Sequence, residues 1–218
     1  MNISVHDIWD DPIPGREIRA IMAMSINGAT AVKHTSGQLG NELDRDLLLY
    51  ARSWSDCVLV GAGTVRTENY GGIVQPDTEH RPIIVVSASG KLDTNSRLFT
   101  DTHTPPIIIS NYSIEKNRRQ ALEKTGARVL HCDTSQAHEI TQIIYSLGYQ
   151  KILLEGGPRL YTQFISSGLI DAFNLTLSPK LVSGSIQNSV DTHGIQDMDL
   201  KAHYLHTDGT VFLRYRRV

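Results

Sequence analysis

Two hydrophobic rhythms alternate along the chain. Short stretches that are apolar at nearly every position recur at 18–25 (IRAIMAMS), 56–60 (DCVLV), 83–87 (IIVVS), 106–110 (PIIIS), 127–131 (ARVLH) and 151–154 (KILL). A strand buries both of its faces only in a sheet covered on each side, so runs of this kind predict mostly parallel strands. Between them, 41–53, 62–68, 114–125, 135–147 and 158–167 carry their apolar residues on one helical face. Lys124 followed by Gly126 marks a helix end. Strands alternating with amphipathic helices predict an α/β fold of three layers, α/β/α, around a mostly parallel central sheet. The rhythm changes after residue 170. Strand candidates at 172–177, 179–182, 200–207 and 210–216 follow one another without helices, and the turn His206-Thr207-Asp208-Gly209 predicts an antiparallel hairpin. The sheet is therefore expected to end in antiparallel strands. Residues 1–16, with the turn signal Pro12-Ile13-Pro14-Gly15, read as a loose N-terminal arm, and 17–218 as a single domain.

Composition narrows the function by exclusion. A net charge of −2 leaves no electrostatic footprint for nucleic acid or an anionic membrane. No apolar run approaches the roughly 20 residues of a membrane span, and the acidic start MNISVHDIWDD is not a secretory signal. Cys57 and Cys132, two isolated cysteines in a chain of this size, point to reduced thiols and a cytoplasmic protein. The nine histidines, among them His34, His80 and His193, show no metal-ligand spacing, so no metal site is expected. There is neither a G-x-S-x-G nucleophile elbow nor a P-loop lysine. The basic run Arg214-Tyr215-Arg216-Arg217 reads as a solvated edge strand.

What remains are joints where strands run into helices. Gly61-Ala62-Gly63-Thr64 delivers an apolar strand into a helix start, where unpaired N–H groups and the Thr64 hydroxyl can hold a phosphate. An ordinary strand-to-helix turn would read the same, because Arg66 stands where a full dinucleotide fingerprint has its third glycine. Glu155-Gly156-Gly157-Pro158 is a second such joint, with the proline suited to a first helical turn. Two glycine joints at strand ends of one sheet can face a common crevice, which raises a dinucleotide or phosphorylated ligand above two unrelated turns. Ala23 to Thr30 ends a strand in small residues, leaving room for a flat ring. Ser87-Ala88-Ser89-Gly90-Lys91 offers hydroxyls and a lysine that suit a ribose 2′-phosphate or simply solvent.

Taken in order, these pieces resemble the pyrimidine reductase family of riboflavin biosynthesis, whose fold is related to that of dihydrofolate reductase. The resemblance rests on Ser25-Ile26-Asn27-Gly28, Tyr50-Ala51-Arg52-Ser53, Gly61 to Glu68, Glu155 to Leu160, Gly168-Leu169-Ile170-Asp171 and Pro179-Lys180-Leu181. It covers the chain from about residue 18, and the run from Gly63 to Gly71 is most similar to stand-alone actinobacterial members. The resemblance implies NADPH as cofactor, a ribosylaminopyrimidine 5′-phosphate as substrate, hydride transfer to C1′ of the opened ribose, and a homodimer. It implies cofactor contacts at Ala23, Gly61, Gly63, Thr64, Ser89, Gly156, Gly157, Pro158, Arg159 and Leu160. Arg52 and Glu155 would contact substrate, with Arg66 supplying charge toward its phosphate, since the segment after Glu68 lacks an arginine common in bifunctional relatives. Glu68 and Asn27 take the catalytic positions, Asn27 standing where the family usually has aspartate. The main catalytic demand is alignment of donor and acceptor carbons within about 3–3.5 Å. The zinc motif of the family's fused deaminase is not in this chain. Two alternatives share the same features: a dihydrofolate or pterin reductase of the same fold, and an NADPH-binding protein without catalysis.

Overall fold

The computed structural model describes residues 3–10, 13–33, 35–71, 81–183 and 194–218. Pro12, His34, His80 and His193 of the sequence reading lie outside the described residues. Among the described residues the central element is one nine-stranded sheet in the order β5-β4-β3-β2-β6-β1-β7-β9-β8. Its strands are β1 (Glu17–Ser25), β2 (Cys57–Gly61), β3 (Ile83–Val86), β4 (Ile107–Ser110), β5 (Arg128–His131), β6 (Lys151–Gly156), β7 (Ala172–Ser178), β8 (Met198–Leu205) and β9 (Val211–Arg217). Neighbours from β5 to β7 are parallel, and β9 runs antiparallel to both β7 and β8. The helices are α1 (Val5–Ile8), α2 (Glu42–Trp54), α3 (Ala62–Thr67), α4 (Arg97–Thr100), α5 (Lys116–Lys124), α6 (Ala137–Ser146) and α7 (Pro158–Ser166).

Strand β2 shows why the apolar runs are continuous. Leu59 packs with Ile140, Ile144, Leu160 and Phe164 of α6 and α7 on one face. Its neighbours point the other way, Val58 toward Leu47 and Ala51 of α2 and Val60 toward Val65 of α3. All three are fully buried, a burial that stabilises by about 1.5–3 kcal/mol per side chain. This is the expected three-layer α/β/α arrangement.

Three details depart from the sequence reading. The segment 179–182 forms no strand: Pro179 has no N–H to donate, and a hydrogen bond from Ile26 N to Lys180 O instead ties the stretch to the loop after β1. The short helices α1 and α4 were not expected. Nor is the N-terminal arm loose through residues 3–10, because Ile8 and Trp9 are buried against α2. Trp9 packs edge-on to Tyr50 and Trp54, and the buried Arg19 guanidinium lies 4.1 Å from its ring centre. Arg19 in turn pairs with Asp10 at 2.7 Å and Glu17 at 2.6 Å, and Arg216 of β9 reaches the same two acids. A chain segment holding one end of a buried ion cluster is part of the core.

The pairing pattern opens a crevice. β1 and β6 pair from Glu17↔Lys151 to Ala20↔Leu154 and no further. Beyond that point β1 continues beside β7 to Ser25↔Ser178, while β6 stays with β2 through a register shift after Leu59. Because β6 is inserted between β1 and β2, the chain reverses its direction of travel across the sheet here, where open α/β sheets form ligand clefts.

Candidate active site

A cleft of about 850 Å³ lies at this split. Ile21, Met22 and Ala23 of β1 form one wall, Glu155, Gly157 and Pro158 another, and Gly63 and Thr64 a third. The two glycine joints meet inside it. Gly156 and Gly157 have φ of +104° and +98°, which side chains rarely adopt. A Cβ on Gly157 would lie 3.2 Å from Thr64 Oγ1 and 3.4 Å from Gly61 Cα, so the joints touch each other. A Cβ on Gly156 would lie 2.4 Å from the Tyr161 ring. That ring is buried, and its hydroxyl donates to Ile21 O at 2.5 Å, tying α7 to β1 beneath the cleft. At Gly63, by contrast, a Cβ would meet nothing within 4 Å.

Helix α2 supplies the opposite side. Leu47 and Ala51 bury its inner face, which turns Asp44, Arg45, Leu48 and Arg52 along the cleft. Arg52 makes a bidentate pair with Glu155, Nε to Oε1 and Nη2 to Oε2, both at 2.6 Å. The Tyr70 hydroxyl accepts from Arg52 Nη2 at 3.0 Å and donates to Glu155 Oε2. With side-chain exposures of 18% and 6%, the pair is largely shielded from water. Burial alone would lower the pKa of Arg52, but the Glu155 charge and its hydrogen bonds outweigh that and raise it, holding the guanidinium charged.

The other sequence-predicted residues are distributed around this centre. Glu68 lines the cleft and accepts from Ser36 N at 2.7 Å, bridging α3 to the loop after β1. Arg66 lines it too, and its Nη1 donates to Lys91 O at 3.1 Å, linking α3 to the turn that holds Ser89. Ser89 itself is exposed beyond the cleft lining, with its carbonyl accepting from Arg118 at 3.4 Å. Arg159 is exposed and Leu160 is buried in the core beneath α7, so neither side chain joins the lining. Asn27 does not line the cleft. Its Nδ2 donates to Val182 O at 2.9 Å and its Oδ1 accepts from Val182 N at 3.1 Å and Ser25 Oγ at 2.7 Å. An aspartate could not make the first of these bonds.

Sequence reasoning missed Tyr70, Tyr161, Asp44 and Arg45. Tyr161 sits four residues past Gly157 on the inner face of a helix, which reads as ordinary core, and Asp44 and Arg45 read as solvated charges of a first helical turn. Among the described residues, no cluster of three or more His, Cys, Asp or Glu is placed to hold a metal ion, and no helix is long and apolar enough to cross a membrane.

Comparison with known proteins places this geometry in context. The family model described as the RibD C-terminal domain matches residues 16–212. A chloroplastic riboflavin biosynthesis protein of Arabidopsis thaliana is 28% identical over 167 residues, which are 75% of this chain but only 28% of that protein. The 2,5-diamino-6-ribosylamino-4(3H)-pyrimidinone 5′-phosphate reductase of Methanothermobacter thermautotrophicus is 26% identical over 188 residues, 81% of this chain and 84% of that protein. A pyrimidine reductase-like protein from Corynebacterium diphtheriae superposes with a TM-score of 0.84 at 28% identity, covering 93% of this chain and 92% of that one.

Proposed function

The chain belongs to the RibD C-terminal domain family, and from that premise we propose that it is an NADPH-dependent reductase of a ribosylaminopyrimidine 5′-phosphate, converting ribosyl to ribityl in riboflavin biosynthesis. The observation that carries this reading is the similarity to the Methanothermobacter reductase along most of both chains. The cleft fits a dinucleotide: two glycine joints converge in it, one with positive φ at consecutive residues and one leaving open space at Gly63. When bound, NADPH would supply the hydride. Thr64 and Gly157 would hold its phosphates at the joints with Pro158 packed beside them, Ala23 would lie beside the nicotinamide, and Ser89 would lie near the adenosine end.

On the substrate side, Arg52 and Glu155 form a paired unit. A phosphate reaching Arg52 meets a guanidinium already oriented by Glu155 and Tyr70 through its Nε and Nη2. Arg66 adds positive charge at the rim. Glu68 fixes the Ser36 end of the loop beside the cleft through the hydrogen bond it accepts from Ser36 N. We extend the proposal to a cytoplasmic homodimer. The buried free thiols of Cys57 and Cys132 suit a reducing compartment, and the edge strand β8 exposes Leu200 and Leu205.

The test is direct. Purified protein is incubated with NADPH and 2,5-diamino-6-ribosylamino-4(3H)-pyrimidinone 5′-phosphate, and NADPH absorbance and the product mass are followed. The expected result is NADPH consumption matched by a ribityl product. NADPH oxidation with dihydrofolate and not with this substrate would overturn the assignment.

A further inference from the structure

Asp44 sits in the first turn of α2 and lines the cleft, and the polar side chain that meets its carboxyl among the described residues is Thr176. The helix is capped by Asn41, whose Oδ1 accepts from Asp44 N at 2.9 Å, so the Asp44 side chain is not needed as a cap. It folds over Gly40 instead, where a Cβ would lie 2.1 Å from Asp44 Oδ2. Among the described residues it forms no ion pair. Next to it stands Thr176, fully buried on β7 in register with Ala23, its hydroxyl short of a hydrogen bond of ordinary geometry. The carboxyl therefore lies over the segment of β1 where the reduction is proposed to occur, with one face toward the cleft and one toward a buried hydroxyl.

We propose that Asp44 is the proton donor of the reduction, giving the substrate the proton that must accompany the hydride. The inference rests on the reductase reading above. In the step, a bound dihydronicotinamide would supply the hydride that bonds to C1′ of the opened ribose and would itself be oxidised. The π pair of the C1′=N imine moves to nitrogen and takes the proton from the Asp44 carboxyl, leaving a secondary amine and an ionised Asp44. Water at the cleft mouth returns the proton.

The protonation state agrees with this role. Burial raises the pKa of Asp44 above the usual carboxylate value, and Thr176 partly offsets the rise. The charged groups around it are Glu42 and Arg45 on α2, Arg52 with Glu155, Arg66 and Glu68 across the cleft, and His206 and Asp208 in the β8–β9 turn, held there by Asn41. None of these contributes to the shift, which burial and Thr176 account for.

The experiment compares wild type, Asp44→Asn and Thr176→Val in single-turnover reduction of the ribosylaminopyrimidine phosphate, with NADPH affinity measured by fluorescence. Asp44→Asn should lower the turnover rate by about 10²–10⁴-fold, the range of general acid catalysis, and leave NADPH affinity within about twofold. Thr176→Val removes the group that lowers the pKa, so the fall of rate with rising pH should move to higher pH. The Asp44 carboxyl midpoint, read by carbon-detected NMR, should move upward with it. An Asp44→Asn enzyme that keeps the wild-type rate, or a Thr176→Val profile and midpoint that do not move, would overturn the assignment to Asp44 alone. A wild type that reduces no ribosylaminopyrimidine would overturn the functional reading and this inference together.

Discussion

Replacing Arg52 by alanine should damage the protein in two separable ways. The substitution leaves the Glu155 carboxylate, with a side chain only 6% exposed, facing Tyr70 alone among the described residues. Breaking a buried pair by removing one partner costs about 3–5 kcal/mol. The Arg52 side chain is 18% exposed, so water recovers part of the loss, and about 2–3 kcal/mol is expected. For a chain of this size each kcal/mol moves the melting temperature by about 2–4 °C, which gives a drop of roughly 4–12 °C. A double-mutant cycle isolates the pair: urea denaturation of wild type, Arg52→Ala, Glu155→Gln and the double variant should give a coupling of about 1.5–3 kcal/mol, against about 0.5 kcal/mol or less for independent sites. The functional loss is measured at a temperature where every variant is folded. If Arg52 also meets the substrate phosphate, KM rises at least tenfold in Arg52→Ala while NADPH affinity stays within about twofold. A coupling below about 0.5 kcal/mol would refute the pair as a unit. Full coupling with an unchanged KM would make Arg52 a support for Glu155 and nothing more.

The two central glycines should fail differently. Gly157→Ala, pushed against Thr64 Oγ1 and Gly61 Cα, should stay folded by circular dichroism and lose at least tenfold in NADPH affinity; wild-type affinity would show the joint to be a turn and no more. Gly156→Val should not fold stably, because its side chain overlaps the buried Tyr161 ring; a melting temperature within about 3 °C of wild type would contradict that packing. Asn27→Asp loses the donor to Val182 O and sets a carboxylate against that carbonyl, so destabilisation by about 1–3 kcal/mol is expected from urea denaturation; a neutral or stabilising result would refute the clamp. Burial raises the Cys132 thiol to about 11 and the Cys57 thiol further, so neither should react with a thiol-disulfide reagent at neutral pH until denaturant is added. Rapid labelling of the native protein would contradict this.

The sheet and its long helices were legible because burial on both faces writes itself into contiguous residues. The runs at β2, β3, β4 and β6 need no distant partner to be recognised. Arg19 and Glu17 illustrate the opposite case. Both are completely buried, and what permits it is Asp10, Trp9 and Arg216, the last of these at the far end of the chain. No local pattern announces such a cluster, so the arm that carries Asp10 looked loose. The same limit applies in the cleft. Glycines betray a backbone demand locally, and both joints were readable from them. The Arg52–Glu155–Tyr70 unit joins three elements distant in sequence, and nothing before the fold indicated that the arginine and the acid hold each other.

The contact between the Gly61 and Gly157 joints makes one continuous wall of the β2–α3 and β6–α7 corners, to which the Arg52–Glu155 pair ties α2. The end of β1 and the loop after it form the facing wall, braced by Asn27 on Val182 and Lys180 on Gln38. Tyr161 on Ile21 O and Ser36 N on Glu68 each join one wall to the other. The Ser36–Glu68 link is a single exposed hydrogen bond, worth about 1 kcal/mol, so it is the cheapest of these ties to give up to a ligand.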